Sequence, residues 1–334
     1  MSDHSPRTSM TNTDKTQYTP LIDFNAYPVK NVLDTLLQDK STKQNIIYAT
    51  DAYVDAEPTA TEAAPILAQQ ISGETPTVCI VPRVQKSLDE QTDRTRAKAE
   101  VFTPSWMVNQ MVNNLDEEWF GRKHVFNTEQ EDHSWIPTEG KITFPSTKKH
   151  GWHDYVDSRR LEITCGEAPF LVSRYDAATG AILPISQRIG LLDRKLRIVD
   201  EHTENDLMWW KWTLRAFQSV YGYEFQGDSL LIARANLLLT FVDHYRNRFG
   251  TDPDKKHLKQ IANVIVWNLW QMDGLTETIP FRKPPEQKVE FDMLDMLTML
   301  DEPNSQDVPA FVRLYDWRAK TSLSYSQLLK GAEQ

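Results

Sequence analysis

The apolar pattern of this chain changes period several times, and each change predicts an element. In "ENDLMWWKWTLRAFQSVYGYEF", Leu207, Trp210, Leu214, Phe217 and Tyr221 recur at helical spacing and lead into a short strand over residues 221–225. "DSLLIARANLLLTFVDHYRNRF" reads as a further amphipathic helix, and "IANVIVWNLWQMDGL" is an apolar run ending at Met272-Asp273-Gly274. Upstream, "VKNVLDTLLQ" and "EAAPILAQQI" predict short helices, "TVCIVPRV" a strand, and "KSLDEQTDRTRAKAE" a charged helix or linker. Residues 161–164 have strand character that breaks at Cys165-Gly166. "FLVSRYD" predicts the first turns of a helix, residues 177–202 a turn-rich connection with a short helix, and "FVRLYDWR" one more strand-like run.

Strands alternating with helices predict an α/β fold, a mostly parallel sheet covered by helices on both faces. Residues 1–19, polar and poor in apolar side chains, predict a disordered tail. Residues 20–98 predict a mixed N-terminal α/β lobe, and residues 99–330 the sheet domain. A chain of 334 residues with 40% hydrophobic content can bury a large core unaided. Cys79 and Cys165 lack metal-ligand spacing, which argues against a disulfide framework and for a reducing, cytoplasmic setting. No apolar run approaches a membrane span, so no membrane partner is expected. The net charge of −10 excludes coating nucleic acid by bulk electrostatics and leaves only local basic clusters, such as residues 94–98 and 193–197.

In an open parallel sheet, ligands sit beyond the carboxyl ends of the strands, and four stretches there carry chemistry. In "LEITCGEAPF", Gly166 lets the backbone approach a ligand, and a helix starting near Phe170 would offer its positive end to an anion. Glu162 and Glu167 can bind hydroxyls or an ammonium group. Glu224 ends "YGYEF", where a carboxylate can grip a ribose diol, and Asp273 in "WQMDGL" can accept from an adenine amino group. Acids at strand ends also cap the next helix, which is the plainer role for both. The fourth stretch is "AEVFTPSWMVNQMV".

Taken in order, these stretches resemble the motifs of adenine-N6 DNA methyltransferases, including the methylase subunits of restriction-modification systems. "LEITCGEAPF" is similar to the family's first motif, "AEVFTPSWMVNQMV" to its Thr-Pro motif, and "YGYEF" and "WQMDGL" to its second and third. The resemblance spans residues 100–275. It implies a Rossmann-like sheet binding S-adenosylmethionine, with Phe102, Thr103 and Pro104 shaping the methionine pocket. Glu162, Cys165, Gly166 and Phe170 would form the loop, Glu224 would hold the ribose and Asp273 the adenine. It also implies double-stranded DNA and a restriction or methylase subunit as partners, with in-line transfer to the adenine amine and no metal.

The chain departs from the pattern where the base is methylated. No Asn/Asp-Pro-Pro-Tyr/Phe tetrapeptide is present, and "KPPE" at residues 283–286 offers neither the acceptor nor the aromatic. "LYDWR" supplies a candidate substitute, with Asp316 to accept from the amine and Trp317 to stack, against the plainer role of a structural corner. Ile163 replaces the usual proline and Ala168 the second glycine, and alanine disfavours the positive φ such a loop requires. Fewer than 20 residues follow Asp316, so the rest of the sheet and target recognition would come from another polypeptide. Two other classes compete: a cofactor- or DNA-binding regulatory protein with a degenerate methyltransferase fold, and a nucleotide- or NAD-using enzyme. The last lacks a Gly-x-Gly-x-x-Gly phosphate loop.

Overall fold

The protein's structure is a computed structural model that describes residues 20–98, 100, 103–145, 151–282, 311–325 and 327. The expected tail at residues 1–19 and the "KPPE" stretch lie outside the described residues. The N-terminal segment supplies three α-helices, α1 (Leu33–Leu37), α2 (Ala68–Ile71) and α3 (Leu88–Lys98), and two short 3-10 helices, Val29–Val32 and Arg83–Gln85. Helix α4 (Ser105–Phe120) starts after Pro104, whose fixed φ suits a helix entry, and stops at Gly121 with φ +67°. A hairpin of β1 (Asn127–Glu129) and β2 (Trp135–Pro137) precedes α5 (Trp152–Asp157).

The chain then builds β3 (Arg160–Glu162), α6 (Leu191–His202), α7 (Asp206–Gln218), β4 (Val220–Glu224), α8 (Gly227–Phe249), α9 (Lys255–Asn268) and β5 (Leu269–Gln271). Local chemistry sets the helix ends. Asn205 accepts the Met208 N–H at 3.0 Å to open α7, Asp254 accepts the His257 N–H at 2.8 Å to open α9, and Gly250 at φ +69° closes α8. A second hairpin, β6 (Arg313–Asp316) and β7 (Thr321–Ser324), completes the described elements.

Strands β3, β4 and β5 form one parallel sheet in that order, with Glu162 opposite Gly222 and Glu224 opposite Gln271. Because side chains alternate along a strand, Val220 and Leu269 enter the large core formed with the helices, while Tyr223 and Trp270 enter a second cluster with Val312 and Leu314. Among the described residues the helices therefore gather on one face, and the β6–β7 hairpin lies on the other. Over the described residues this differs from the expectation of helices on both faces. Crossovers share one hand, so strands laid down in order without a reversal keep their connections on a single side.

Residues 20–98 share that large core rather than forming an α/β lobe of their own. Ile22, Leu36 and Tyr48 pack in it with Val220 and Leu269, α1 lies against α8 and α9, and the segment makes only isolated bridges such as Ile47 with Pro65. The buried Arg234 of α8 fastens it, donating to the carbonyls of Leu36, Gln38 and Leu269 at 2.5, 3.0 and 2.7 Å. "TVCIVPRV" keeps strand-like alternation, with Val78 and Ile80 buried and Cys79 exposed, yet has no ladder partner, so it is no strand. In α7, Leu207 is 84% exposed and Trp209 takes the core position, held by its indole N–H on Asp200 at 2.6 Å.

Candidate functional site

The first station is a loop wound by left-handed residues. Thr164, Gly166 and Ala168 have φ of +45°, +52° and +64°, so every second residue bends the backbone back. Alanine takes the positive φ that its side chain disfavours, because Ala168 is sealed in the core and its backbone is fixed on both sides. Its N–H bonds the Cys165 carbonyl at 2.7 Å and its carbonyl accepts from Leu171 and Val172 at 3.1 and 3.0 Å. No helix begins near Phe170. The next α-helix, α6, waits until Leu191, and the N–H groups of Phe170 and Leu171 are taken by the Glu162 carboxylate at 3.2 and 3.1 Å. An anion at a helix start is thus replaced by an internal carboxylate that closes the loop from beneath.

The loop is tied to the neighbouring strand. Gly166 donates to Glu224 Oε2 at 2.8 Å, Cys165 donates to the Tyr223 carbonyl at 2.8 Å, and Glu224 Oε1 accepts from Gln226 at 3.1 Å. Gly222 makes this approach feasible, since a Cβ there would stand 3.2 Å from Cys165 Sγ. Asp273 joins the same rim one strand further, where Met272 donates to the Glu224 carbonyl at 3.0 Å. Its Oδ1 accepts from Leu275 at 2.8 Å and so closes a turn rather than capping a helix, and Oδ2 has no hydrogen-bond partner among the described residues.

Burial sets the electrostatics of this rim. It pushes the Glu162 carboxyl up to about 8 against the Phe170 and Leu171 N–H groups that favour the anion, and Glu224 adds to the rise. Burial likewise raises Glu224, opposed by the N–H groups of Gln226 and Gly166. The Cys165 thiol is raised well above its usual value by burial, with Glu162 and Glu224 adding to it, so it is no nucleophile. Glu167 is a tie rather than a ligand arm, with Oε1 accepting the Arg83 N–H at 2.5 Å and Oε2 the Tyr175 hydroxyl at 2.7 Å.

Thr103 and Pro104 stand half-buried at the head of α4, which docks beside the loop. Ser105 Oγ accepts the Ala177 N–H at 3.2 Å, and Ser105 lines a cavity of about 20 Å³ with Glu167, Tyr175 and Asn236. That space holds about one water and not a nucleoside. Phe102 lies outside the described residues. Sequence reading missed Phe225 and Phe281, whose rings meet edge-on at 5.6 Å beside the acids. Phe225 was detectable as the residue following the strand-end acid, whereas nothing in the sequence marked Phe281.

Asp316 and Trp317 are not part of this rim, which corrects their assignment to the base pocket. Asp316 accepts from Arg318 and Ala319 N–H groups at 2.8 and 3.0 Å and pairs with Arg159, which precedes β3. Trp317 donates to Asn268 at 2.7 Å, and Asn268 binds the carbonyls of Phe217 and Val220 at the start of β4. Both residues lie at the amino ends of the strands, roughly a strand length, about 13 Å, from Glu224. They form a structural corner. Among the described residues no cluster of His, Cys, Asp and Glu could hold a metal ion, and no helix is long and apolar enough to cross a membrane. Comparison with protein-family models, with curated proteins and with solved structures gave no match for this chain.

Proposed function

We propose that this chain is the S-adenosylmethionine-binding part of a cytoplasmic adenine-N6 DNA methyltransferase, on a Rossmann-like sheet, working with a partner subunit and double-stranded DNA. The observation that carries the reading is the order of the rim: a left-handed loop at the end of β3 bonded to an acid ending β4, with a second acid past the end of β5. A nucleoside with a diol and an amine meets such acids in sequence, and a sulfonium arriving beside them favours their ionised form. The closed loop opens to admit it, with the ribose hydroxyls taking over Glu224 from the Gly166 N–H.

The groups that methylate the base come from a partner chain in this reading. The outer edge of β3 has no paired strand among the described residues, and it leaves Leu161 48% and Ile163 63% exposed. Parallel strands are ordinarily covered on both sides, so such an edge invites another strand. The strand order also gives that edge the position where a reversal would create the ligand crevice. The alternative, a regulatory protein that kept only the cofactor site, rests on the absence of an Asn/Asp-Pro-Pro-Tyr/Phe tetrapeptide from the sequence.

Calorimetry of the purified chain with S-adenosylmethionine tests the premise, and the absence of both heat and a thermal shift would overturn it. A methyl-transfer assay on unmethylated DNA, run with and without the products of neighbouring genes, separates the two readings. Activity that appears only with a partner supports the split enzyme, and none in either condition supports the regulatory protein.

A further inference from the structure

We propose that Lys86 and Arg94 form a niche that binds the carboxylate at the amino-acid end of the cofactor, an inference that rests on the nucleoside reading of the rim. Both side chains are almost sealed from solvent, at 4% and 6% exposure. Lys86 Nζ and Arg94 Nη1 have no hydrogen-bond partner among the described residues. A buried cation with unspent donors is unfavourable, and such orphans are satisfied when a ligand brings the acceptor.

The carboxylates nearby are already committed. Asp228 Oδ2 accepts from the Tyr53 hydroxyl at 2.7 Å and from Arg94 Nη2 at 2.8 Å, and Oδ1 accepts from Ser229 at 2.8 Å. It stands 3.9 Å from Lys86 Nζ, too far for a hydrogen bond. Glu100 is shared between Arg94 Nε and Arg83 Nη1, the latter at 3.4 Å. An incoming carboxylate is the acceptor this arrangement lacks, one oxygen for the ammonium and one for the guanidinium.

The position of the niche selects which end of the ligand it meets. The Arg83 N–H binds Glu167 of the loop, and Arg94 Nη2 binds Gln226 Oε1 at 2.9 Å, while the Gln226 N–H binds the ribose acid Glu224. Arg94 is thus tied through Gln226 to Glu224, and Lys86 follows Arg83 by three residues on the segment that binds Glu167 of the loop. Glu100 also stands only a few residues before Thr103 and Pro104, the stretch assigned to the methionine pocket.

Calorimetry on the full chain with S-adenosylhomocysteine and with 5′-methylthioadenosine tests the niche, because the second ligand keeps the nucleoside and sulfur and lacks the amino-acid end. The expected result is binding of the first about tenfold or more tighter than the second. Lys86→Met should weaken the first by about tenfold and leave the second within about twofold, with the melting temperature little changed because Asp228 keeps Arg94 Nη2 and the Tyr53 hydroxyl as its closer partners. Equal affinity of the wild type for the two ligands, or a Lys86→Met effect of the same size on both, would overturn the niche and leave the nucleoside site standing. Lys86→Gln guards against a folding defect; if both variants melt well below the wild type, the lysine is a structural partner of Asp228 and the proposal fails. Binding of neither ligand would remove the nucleoside reading and the niche together.

Discussion

At the carboxyl ends of the sheet, Glu162 and Glu224 are buried, receive backbone N–H groups, and are still raised toward neutrality by burial. At the amino ends, Asp316 also receives two backbone N–H groups, but it is partly open to solvent and beside Arg159. The Ala319 N–H is the main cause holding its carboxyl below the usual range. Similar hydrogen bonds thus give opposite titration, because desolvation outweighs them in one place and not in the other. The dry rim can respond to an arriving cation, and the wet corner is fixed in its ionised form.

The pH dependence of stability separates the two ends most strongly. Glu162 is raised from 4.5 to about 8 in the folded protein, so its contribution is fully present below pH 4.5 and is lost as pH rises toward 8. Over that window the group should lower stability by roughly 1.4 kcal/mol per pH unit. Glu162→Gln, which keeps an acceptor without charge, should flatten the slope and leave the variant several kcal/mol more stable than wild type near pH 8, of order 3–5 kcal/mol. Urea unfolding from pH 4.5 to 8 measures it, and parallel curves would show that Glu162 is ionised throughout. Asp316 has the opposite sign: its contribution is present above the unfolded carboxylate value and is lost as pH falls through its lower folded value.

Ligand binding sharpens the same contrast. Glu224→Ala should weaken S-adenosylmethionine binding by about 1–3 kcal/mol through loss of a charged hydrogen bond. Binding should also strengthen between pH 5 and 8 as the rim carboxyls ionise more readily around the sulfonium, and calorimetry in buffers of different ionisation heat would detect the released proton. A smaller effect belongs to the loop itself. Thr164 is exposed and branched at φ +45°, and its hydroxyl reaches only the neighbouring Ile163 carbonyl. Thr164→Gly should therefore stabilise the protein by about 0.5–1 kcal/mol, net of the glycine's entropy, as read from the urea midpoint. The smallest effect is expected at the corner, where Asp316→Asn should cost less than about 1 kcal/mol. It should leave cofactor affinity unchanged, and a large loss of affinity would place Asp316 in the site after all.

Elements that carry a strong period or a cap were legible in the sequence. Helices α7 and α8 and strands β4 and β6 fall where the pattern predicted them, since local spacing and capping residues such as Asn205 act within a few positions, whereas the sequence marks most of α9 only as an apolar run. The apolar run in "TVCIVPRV" failed as a strand because a strand exists only with a partner, and no local signal supplies one. "FLVSRYD" failed as a helix because its last residues pair across a turn, Arg174 and Asp176 with Leu183 and Ala181, beside the isolated bridge of Tyr175 with Ile182.

The sequence by itself determined the order of the candidate site: a glycine-bent loop, then two acids at the ends of two later strands. Parallel strands joined by helices must present those ends along one rim, whatever the remaining details. Only the tertiary structure decided which acids are dry, that Asp316 belongs to the opposite end of the sheet, and that Lys86 and Arg94 stand beside the loop with donors unspent. Desolvation and partner choice depend on segments brought together from far apart in the chain, as when Arg94 meets Asp228 and Gln226, and no pattern along one segment records that meeting.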